Sequence, residues 1–579
     1  MPQARTHARC ALSMMDPGRI HLDSCQALLD GLVSAGVSQV VLSPGSRNTP
    51  LTLASVLHPQ LQVQTVVDER SAAFFALGMA KQTGAAVALV CTSGTAVANW
   101  FPAVVEANRQ QIPLILLSAD RPWELQQCQS NQTIDQIKLF GGQVRAFHQL
   151  STADPSQAAL RRLHTLGRQL VKEASSPNAG PVHVNIPVRE PLVPVDLPEP
   201  IQPVTVRKQF VPELLLTADD LQELAADMAG KKGVIVCGYG VSEAQVLQLA
   251  QQLACPVLAD PLSGLRFASS ETVISHYDLF LRKPDSPRQL EAEWILYFGG
   301  LPVSQALHAY LERQTEACQW WVDSAGRWMD RPGNAIETLQ ASKQALCEQL
   351  LALNMQPSDK HWLQEWRALE QRVEQQLQQQ LLPLEAQVVR HALHALPDQS
   401  LLFIANSMSV RFMDAYSGVS NKGLLVHGNR GASGIDGNLS TLDGLACAYR
   451  GPGKVLGIVG DLAFFHDLNA LALARDQDMI VLLLNNQGGG IFDFLPQHVL
   501  PEYEACWRTP VILDHQQLAG AFGIVHKRVQ DVNAFAEAFS LALDNHGMQL
   551  IEIVIDSSLS NDLHRNIIGQ WVEHKEHSS

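Results

Sequence analysis

Side-chain oxygens follow two apolar runs in the last quarter of the sequence. Residues 455–486 read VLGIVGDLAFFHDLNALALARDQDMIVLLLNN, so that Asp461 follows the first run and Asn485 and Asn486 end the second. Carboxylate and amide oxygens are preferred ligands of hard divalent cations such as Mg²⁺, which often shares its coordination shell with phosphate. These residue types indicate one possible chemistry, the binding of a metal ion and a phosphate group, provided that the two ends meet.

Two predicted strands and a helix would bring these ends together. The runs at residues 455–459 and 479–484 have the length and aliphatic content of strands buried on both faces, and residues 466–475 predict a helix between them. A strand, helix and strand in about 30 residues form a right-handed crossover, which places both carboxyl ends at one edge of a parallel sheet. We therefore expect Asp461 and Asn486 to meet, with a backbone carbonyl from the turn NNQGGG as a further ligand. Polar residues also end strands in sheets that bind no metal, so spacing alone leaves both interpretations open.

Length and composition restrict the possible classes of protein. A chain of 579 residues is too long for one hydrophobic core, which favours three domains. A hydrophobic content of 46% and a charged content of 17% are typical of soluble globular proteins, and no apolar stretch reaches the roughly 18 to 20 residues that span a bilayer. The formal net charge of -15 argues against surfaces for nucleic acids or anionic membranes. An anionic substrate would therefore need a local cluster of arginines.

The cysteines and the N-terminus bear on location. Ten cysteines are scattered without a CxxC pair, which predicts reduced thiols in a cytoplasmic protein. Residues 1–15 contain arginines and no acids but lack the apolar core of a secretory signal. We interpret them as a disordered tail, or as the result of a start assigned too early, with Met14 or Met15 as the true first residue.

Two seams divide the chain. Residues 187–206 are rich in proline and predict an extended linker. The second seam lies at residues 354–360, where Ser358 could cap a long glutamine-rich helix. Each resulting segment alternates aliphatic runs with helical patterns, which predicts an α/β fold of three doubly wound parallel sheets. The predicted domains are residues 1–195, 196–357 and 358–579.

A further acidic residue lies at a predicted strand–helix junction in the first domain. Residues 61–84 read LQVQTVVDERSAAFFALGMAKQTG, and Glu69 begins the helical part. A carboxylate at such a junction usually caps the helix, although Asp68 or Ser71 could do so equally well. An acid in this position, combined with the distant GD…NN unit, resembles the thiamin diphosphate enzymes of the pyruvate-decarboxylase type.

That resemblance implies a thiamin diphosphate-binding fold and roles for specific residues. Asp461, Asn486 and Gly488 would hold Mg²⁺ or Mn²⁺ on the diphosphate of the cofactor, although Leu462 replaces the last glycine of the usual GDG motif. Glu69 would contact the aminopyrimidine ring and promote proton removal from the thiazolium carbon. It would act from the partner subunit of a homodimer, or of a dimer of dimers, with active sites between subunits.

Longer motifs resemble a narrower branch of this family that functions in menaquinone biosynthesis. They are LSPGSRNTPL, DERSAAFFALGMAK, SADRPWEL, NQTI, NSMSVR, GNRGASGIDGNLST, GDLAFFHDLNAL and NNQGGGIFDFLP. The resemblance implies decarboxylation of 2-oxoglutarate and addition of the four-carbon unit to isochorismate. The alternatives are another thiamin diphosphate-dependent 2-oxo acid decarboxylase, an acetohydroxyacid synthase-like enzyme, or a scaffold without catalysis.

The same resemblance implies contacts with substrates and cofactor. Both substrates are dianions, and guanidinium groups bind carboxylates in an oriented, bidentate manner. Taken singly, each arginine could instead be solvated or structural. The implied substrate-binding residues are Ser46, Arg47, Arg121, Asn131, Gln132, Ser407, Arg411 and Arg430. The implied residues that support the bent cofactor or line its site are Ile435, Ile491, Phe492 and Leu495.

Overall fold

The structure is a computed structural model that describes residues 16–196, 201–207, 210, 212–282, 290–330, 333–475 and 477–572. The predictions for residues 1–15, including Met14 and Met15, lie outside the described residues. The chain forms two compact units, one within residues 1–211 and 431–449 and the other within residues 212–430 and 450–579.

Eighteen strands occur in the described residues. They are β1 (Gln39–Leu42), β2 (Gln62–Thr65), β3 (Val87–Cys91), β4 (Leu114–Asp120), β5 (Phe147–Gln149), β6 (Val182–Pro187), β7 (Gly233–Cys237), β8 (Val257–Ala259), β9 (Val273–Ile274), β10 (Trp294–Phe298), β11 (Cys318–Val322), β12 (Glu337–Leu339), β13 (Leu401–Ile404), β14 (Leu425–His427), β15 (Val455–Gly460), β16 (Ile480–Asn485), β17 (Val525–Val529) and β18 (Gln549–Val554).

The α-helices of the described residues number twenty. They are α1 (Pro17–Ser34), α2 (Thr49–Leu57), α3 (Glu69–Thr83), α4 (Thr95–Ala98), α5 (Phe101–Gln110), α6 (Gln157–Ser175), α7 (Ala218–Met228), α8 (Ala244–Leu253), α9 (Tyr277–Phe280), α10 (Gln305–Glu312), α11 (Lys343–Ala352), α12 (Lys360–Gln378), α13 (Leu384–Ala395), α14 (Met408–Tyr416), α15 (Asn438–Ala448), α16 (Asp461–His466), α17 (Leu471–Ala474), α18 (His515–Ala521), α19 (Val532–Asp544) and α20 (Ser557–Val572).

The first unit contains a six-stranded sheet in the order β2-β1-β3-β4-β6-β5. All its strand pairs are parallel. Every residue of β3 and β4 is buried, as expected for apolar runs covered on both faces by helices. Helix α1 packs against α6, and α3 packs against α15.

The second unit contains two six-stranded parallel sheets. Their orders are β12-β11-β10-β7-β8-β9 and β14-β13-β15-β16-β18-β17. The last sheet repeats the strand order of the first unit, counted along the chain within each sheet. The prediction of an α/β fold with three parallel sheets is confirmed. The three sheets lie within the three predicted segments, while the exact domain boundaries stay a prediction.

The structure corrects two local predictions. Residues 466–475 do not form one helix, because Asp467 leaves helical geometry (φ -126°, ψ 33°) and separates α16 from α17. Aspartate forms competing local hydrogen bonds and so favours such breaks. Ser358 does not cap α12, because its hydroxyl donates to the Ala254 carbonyl at 2.9 Å, and Asp359 accepts from the His361 N–H instead.

Other expectations are met in the part of the chain that the structure describes. Of the predicted linker at residues 187–206, Pro187 ends strand β6, and the described residues 188–196 and 201–206 contain no helix or strand. All nine described cysteines are free thiols. None of the helices found there combines the length and the apolar character needed to cross a lipid bilayer.

Candidate functional site

Asp461 and the turn after β16 meet at the carboxyl edge of the last sheet. Strands β15 and β16 pair in parallel, with Ile458 opposite Leu482. The Gly488 N–H donates to Asp461 Oδ2 at 2.7 Å, and the Leu462 N–H donates to Oδ1 at 2.9 Å. Burial raises the pKa of Asp461, and these two hydrogen bonds oppose the rise. The crossover argument from the sequence is confirmed for this pair of loops.

The two asparagines of the turn differ in the hydrogen bonds that their side chains make. The Asn485 side chain is engaged at both ends, since Nδ2 donates to Glu552 and Oδ1 accepts from the Gln487 N–H. Asn486 Oδ1 is buried and accepts no hydrogen bond from the described residues. An unsatisfied buried carbonyl costs about 1–3 kcal/mol, which a bound cation would offset. Asn486, unlike Asn485, therefore has a side-chain oxygen that is free to bind a cation.

The backbone of the turn fits the same purpose. Gly488 has φ +132°, and a Cβ there would collide with the Arg508 carbonyl oxygen. Its own carbonyl accepts from the Gly490 N–H at 2.9 Å and retains a second lone pair. A carboxylate, an amide oxygen and a carbonyl are a hard-oxygen ligand set suited to Mg²⁺ or Mn²⁺. The described residues contain no group of three or more histidine, cysteine or acidic side chains able to hold a metal.

Arg508 braces this turn, and sequence reasoning missed it. Its Nη1 pairs with Asp493 at 2.9 Å, and its Nη2 donates to the Asn486 carbonyl and to Ser557 Oγ. Its own carbonyl accepts from the Gly489 N–H at 2.7 Å. Arg508 ends a π-helical turn in a segment without regular periodicity, so no pattern in the sequence marks it.

Glu69 does not cap its helix. Asp68 is the N-cap of α3, and its carboxylate accepts from the Ser71 N–H at 3.0 Å. The half-buried Glu69 carboxylate makes no hydrogen bond with the described residues. Burial raises the pKa of the Cys91 thiol well above its usual range, and the nearby charge of Glu69 adds to the rise. The structural alternative for Glu69 is therefore wrong, which leaves its carboxylate available for chemistry.

The candidate substrate residues of the first unit gather at loops after β1, β3 and β4. Arg121 Nη1 donates to Ser93 Oγ at 2.7 Å, and Gln132 exchanges hydrogen bonds with Ser93. Arg47 is 6% exposed and donates to the Val188 carbonyl and to Glu190. Burial lowers the pKa of Arg121, with a further contribution from the charge of Arg47, so these two guanidinium groups are neighbours. The remaining two candidates are exposed on the same set of loops: Ser46 and Asn131.

The second unit brings two further arginines together where β13 ends. Arg430 Nη1 donates to Asn406 Oδ1 at 2.8 Å, and its Nε is buried without a partner among the described residues. Arg411 donates to the Ser407 carbonyl at 2.7 Å. Burial lowers the pKa of Arg411, and the charge of Arg430 lowers it further. Ser407 has a positive φ of 67°, a strained conformation that is often found at functional sites.

The candidate residues follow the strands at which the order of each sheet reverses. In both sheets of the order 2-1-3-4-6-5, the strand order reverses between the first and third strands. Ligands of open α/β sheets bind outside the carboxyl ends of strands at such switch points. Arg47 and Ser93 follow β1 and β3, whereas Ser407 and Asp461 follow β13 and β15.

The candidate apolar residues have different surroundings. Ile435 belongs to the first unit and is 38% exposed. Ile491 and Phe492 are half-buried in a 3₁₀ segment that directly follows the Gly488 turn, and Ile491 packs against the neighbouring core. Leu495, just beyond them, is also 38% exposed. Leu495 is thus an exposed apolar side chain a few residues from the Gly488 turn, of the kind that a cofactor would cover.

Comparison with known proteins supports this arrangement. Three family descriptions match: the N-terminal TPP binding domain of thiamine pyrophosphate enzymes at residues 23–139, the middle domain of thiamine pyrophosphate at residues 207–404, and the C-terminal TPP binding domain at residues 408–553. The first match contains Glu69, and the last contains Asp461.

Relatives that match nearly the whole chain identify a specific family among the thiamine pyrophosphate enzymes. The chain is 40% identical over 554 residues to the 2-succinyl-5-enolpyruvyl-6-hydroxy-3-cyclohexene-1-carboxylate synthase of Dechloromonas aromatica, covering 93% of this chain and 99% of the relative. The chain belongs to this synthase family. Synthases of the same name from Listeria innocua and Enterococcus faecalis are 37% and 36% identical, covering 93% and 95% of this chain and 96% of each relative. As a member of the synthase family, the chain is a thiamin diphosphate-dependent enzyme that forms carbon–carbon bonds.

Proposed function

We propose that the chain decarboxylates 2-oxoglutarate and adds the resulting four-carbon unit to isochorismate. The organic product would be 2-succinyl-5-enolpyruvyl-6-hydroxy-3-cyclohexene-1-carboxylate, which the name of the relatives contains. The carboxyl group lost from 2-oxoglutarate would leave as CO₂. The observation that carries this proposal is the pair Arg411 and Arg430. These neighbouring cations form no ion pair with the described residues and lie in the unit that contains Asp461. A site for a dianion requires guanidinium groups that are not already held in ion pairs.

The residues of the turn would hold the cofactor through a metal ion. Asp461, Asn486 Oδ1 and the Gly488 carbonyl would bind Mg²⁺ or Mn²⁺, which in turn neutralises the diphosphate. When bound, thiamin diphosphate supplies the electron sink that decarboxylation of a 2-oxo acid requires. Glu69 would hold and return a proton at the aminopyrimidine ring, which an unengaged carboxylate can do.

The substrate contacts remain proposals, residue by residue. Arginines would orient the carboxylates of both substrates, because a guanidinium group can donate two parallel hydrogen bonds to one carboxylate. The polar groups proposed to contribute are Ser46, Arg47, Arg121, Asn131, Gln132, Ser407, Arg411 and Arg430. The apolar groups proposed to shape or line the cofactor site are Ile435, Ile491, Phe492 and Leu495.

We further propose a homodimer or a dimer of dimers, in which Glu69 serves a site whose metal ligands belong to the partner subunit. The domain boundaries near residues 195 and 357 belong to the same proposal. A cytoplasmic location is supported by the nine free thiols of the described residues, since oxidising compartments favour disulfides.

One assay tests the function directly. The protein is incubated with thiamin diphosphate, Mg²⁺ and 2-oxoglutarate, with and without isochorismate, and the products are identified by mass. We expect a product with the mass of isochorismate plus the four-carbon unit only when both substrates are present. Efficient CO₂ release from pyruvate with no adduct would instead favour a simple 2-oxo acid decarboxylase.

A further inference from the structure

A buried carboxylate interrupts the apolar strand β18 beside the metal-binding turn. Glu552 is 4% exposed, and its neighbours in the strand face the core. Its Oε1 accepts from Asn485 Nδ2 at 2.7 Å and lies 3.1 Å from His515 Nδ1, while Oε2 lies 3.0 Å from His526 Nε2. No lysine or arginine among the described residues pairs with it within 4 Å. Three hydrogen bonds from uncharged or weakly basic groups therefore hold this carboxylate.

The direction of these bonds follows from the chemistry of the carboxylate. Burial alone would raise the pKa of Glu552, but the hydrogen bonds from His515, His526 and Asn485 outweigh burial and hold the pKa below its usual range. An ionised carboxylate only accepts hydrogen bonds, so both imidazole rings must present an N–H to it. The same argument orients the Asn485 amide, whose nitrogen must face Glu552.

That orientation determines the other end of Asn485. With Nδ2 on the carboxylate, Oδ1 points toward the turn and accepts from the Gln487 N–H at 3.1 Å. The Asn485 side chain thus bridges across Asn486, whose Oδ1 is the buried atom without a partner. A continuous chain of hydrogen bonds leads from Glu552 to the backbone that carries Asn486 and Gly488.

We propose that Glu552, held by His515 and His526, is a positioning residue for the metal site. It orients Asn485, which in turn fixes the turn that presents Asn486 Oδ1 and the Gly488 carbonyl. The inference rests on the proposed metal site and adds residues outside its ligands. Groups that orient metal ligands through hydrogen bonds typically change metal affinity by about 10-fold to 100-fold when removed.

The test is Glu552→Gln, because glutamine has the same size but one end of its amide cannot accept a hydrogen bond. Mn²⁺ affinity is measured by electron paramagnetic resonance in the presence of thiamin diphosphate, together with the thermal midpoint of the protein without metal. We expect Mn²⁺ to bind about 10-fold to 100-fold more weakly than to the wild type.

A matched control separates positioning from mere structural support. Glu370 is also a largely buried carboxylate of the second unit, with its side chain 13% exposed. It accepts hydrogen bonds from Ser275 and from His276 Nδ1, the latter at 2.8 Å. Both Glu370→Gln and Glu552→Gln should lower the thermal midpoint. Glu370→Gln should nevertheless leave Mn²⁺ affinity unchanged. Equal Mn²⁺ affinity in Glu552→Gln and the wild type would overturn the proposal.

A second variant keeps the test decisive if Glu552→Gln does not fold. Asn485→Ala removes the link to the turn and leaves both histidine contacts of Glu552 in place. It should weaken Mn²⁺ binding by a similar factor, and wild-type affinity in this variant would also refute the positioning role. Failure of the wild-type protein to bind Mn²⁺ with thiamin diphosphate would contradict the proposed metal site itself, which is a different outcome.

Discussion

At the scale of single residues, the candidate site is marked by polar atoms that burial leaves without partners. Asn486 Oδ1 and Arg430 Nε are both buried and unsatisfied in the described residues. Most buried polar groups in proteins are satisfied, so each exception requires a reason such as an absent ligand. Arg47 Nε is also buried and unsatisfied, although the Val188 carbonyl and Glu190 accept from the other two nitrogens of its guanidinium group.

The availability of Glu69 leads to a first prediction. Glu69→Gln should bind thiamin diphosphate as the wild type does but turn over about 10² to 10⁴ times more slowly, since an amide cannot exchange the proton. Turnover and cofactor affinity are measured separately. Asp68→Asn is the control, because asparagine caps helices equally well and the neighbouring residue should affect turnover far less. Retention of more than about a tenth of wild-type turnover in Glu69→Gln would rule out the proton-transfer role.

Asp461 supports a second prediction. Asp461→Ala removes the proposed charged metal ligand and leaves the buried Gly488 N–H without its acceptor. Thiamin diphosphate binding should therefore lose its dependence on Mg²⁺, as measured by titration with and without the metal. If Mg²⁺ strengthens cofactor binding in the variant as much as in the wild type, Asp461 is not a ligand.

The paired arginines support a third prediction, on substrate choice. Pyruvate has the reacting centre of 2-oxoglutarate but lacks the distal carboxylate, so its binding would leave a half-buried cation unpaired. With charge-assisted hydrogen bonds of roughly 1.5 to 3 kcal/mol lost, pyruvate should be about 10 to 10³ times worse in kcat/KM.

Variants of the same arginines test whether these two residues cause the preference for dianionic substrates. Arg411→Ala or Arg430→Ala should reduce kcat/KM for one or both dianionic substrates with little change in thermal midpoint. Arg411→Lys retains the charge without the bidentate geometry and should be intermediate. Pyruvate efficiency within about threefold of 2-oxoglutarate, with unaltered kinetics in both alanine variants, would favour the simple decarboxylase.

At the scale of elements, the proposed metal site depends on the tight turn after β16. Arg508 holds it from one side, and Asp461 accepts one of its N–H groups from the other. Gly488 permits the close approach of these two segments, because its φ of +132° and the nearby Arg508 carbonyl leave no place for a Cβ.

The fourth prediction follows from this crowding. Gly488→Ala should force the turn to shift, weaken Mg²⁺-dependent cofactor binding by at least about tenfold and lower the thermal midpoint. Gly520→Ala is the control, since nothing lies within 4 Å of a Cβ built at this position of α18. Alanine there should be neutral or stabilising by up to about 1 kcal/mol. Wild-type cofactor binding in Gly488→Ala would show that the turn tolerates a side chain.

At the scale of the whole molecule, the net charge of the chain affects how anionic substrates bind. The chain has a formal net charge of -15, which disfavours the binding of dianions to its surface in general. Binding of anionic substrates must then come from local arginines such as Arg411 and Arg430. The overall charge thereby favours a specific site over a general anion-binding surface.

The fifth prediction tests the proposed assembly. If sites are shared between subunits, mixing Glu69→Gln with Asp461→Ala and allowing subunits to exchange creates heterodimers with one intact site. Activity should then recover to about a quarter of the wild-type value, because about half of the dimers are mixed and each has one working site. If Glu69 and Asp461 of the same chain serve one site, the mixture stays inactive.

The sequence by itself determined the class of fold and the family. Buried strands appear in the sequence as local apolar runs, and the alternation of such runs with helices predicts parallel sheets. The parallel pairing of the two strands within residues 455–484 could therefore be predicted from the sequence. The helix break at Asp467 and the cap at Asp359 were missed, because both depend on which local polar group wins a hydrogen bond. Motifs such as NRGASGIDG carried the family without any knowledge of contacts.

Only the tertiary structure decided which polar atoms are free to do chemistry. Asn485 and Asn486 are identical in type and adjacent in the chain, yet Glu552 and the Gln487 N–H satisfy the first, whereas no donor among the described residues reaches the buried Oδ1 of the second. Arg508 and Glu552 lie 22 and 66 residues beyond Asn486. The physical reason is that satisfaction of a buried group depends on partners from distant segments, and these have no local pattern in the sequence.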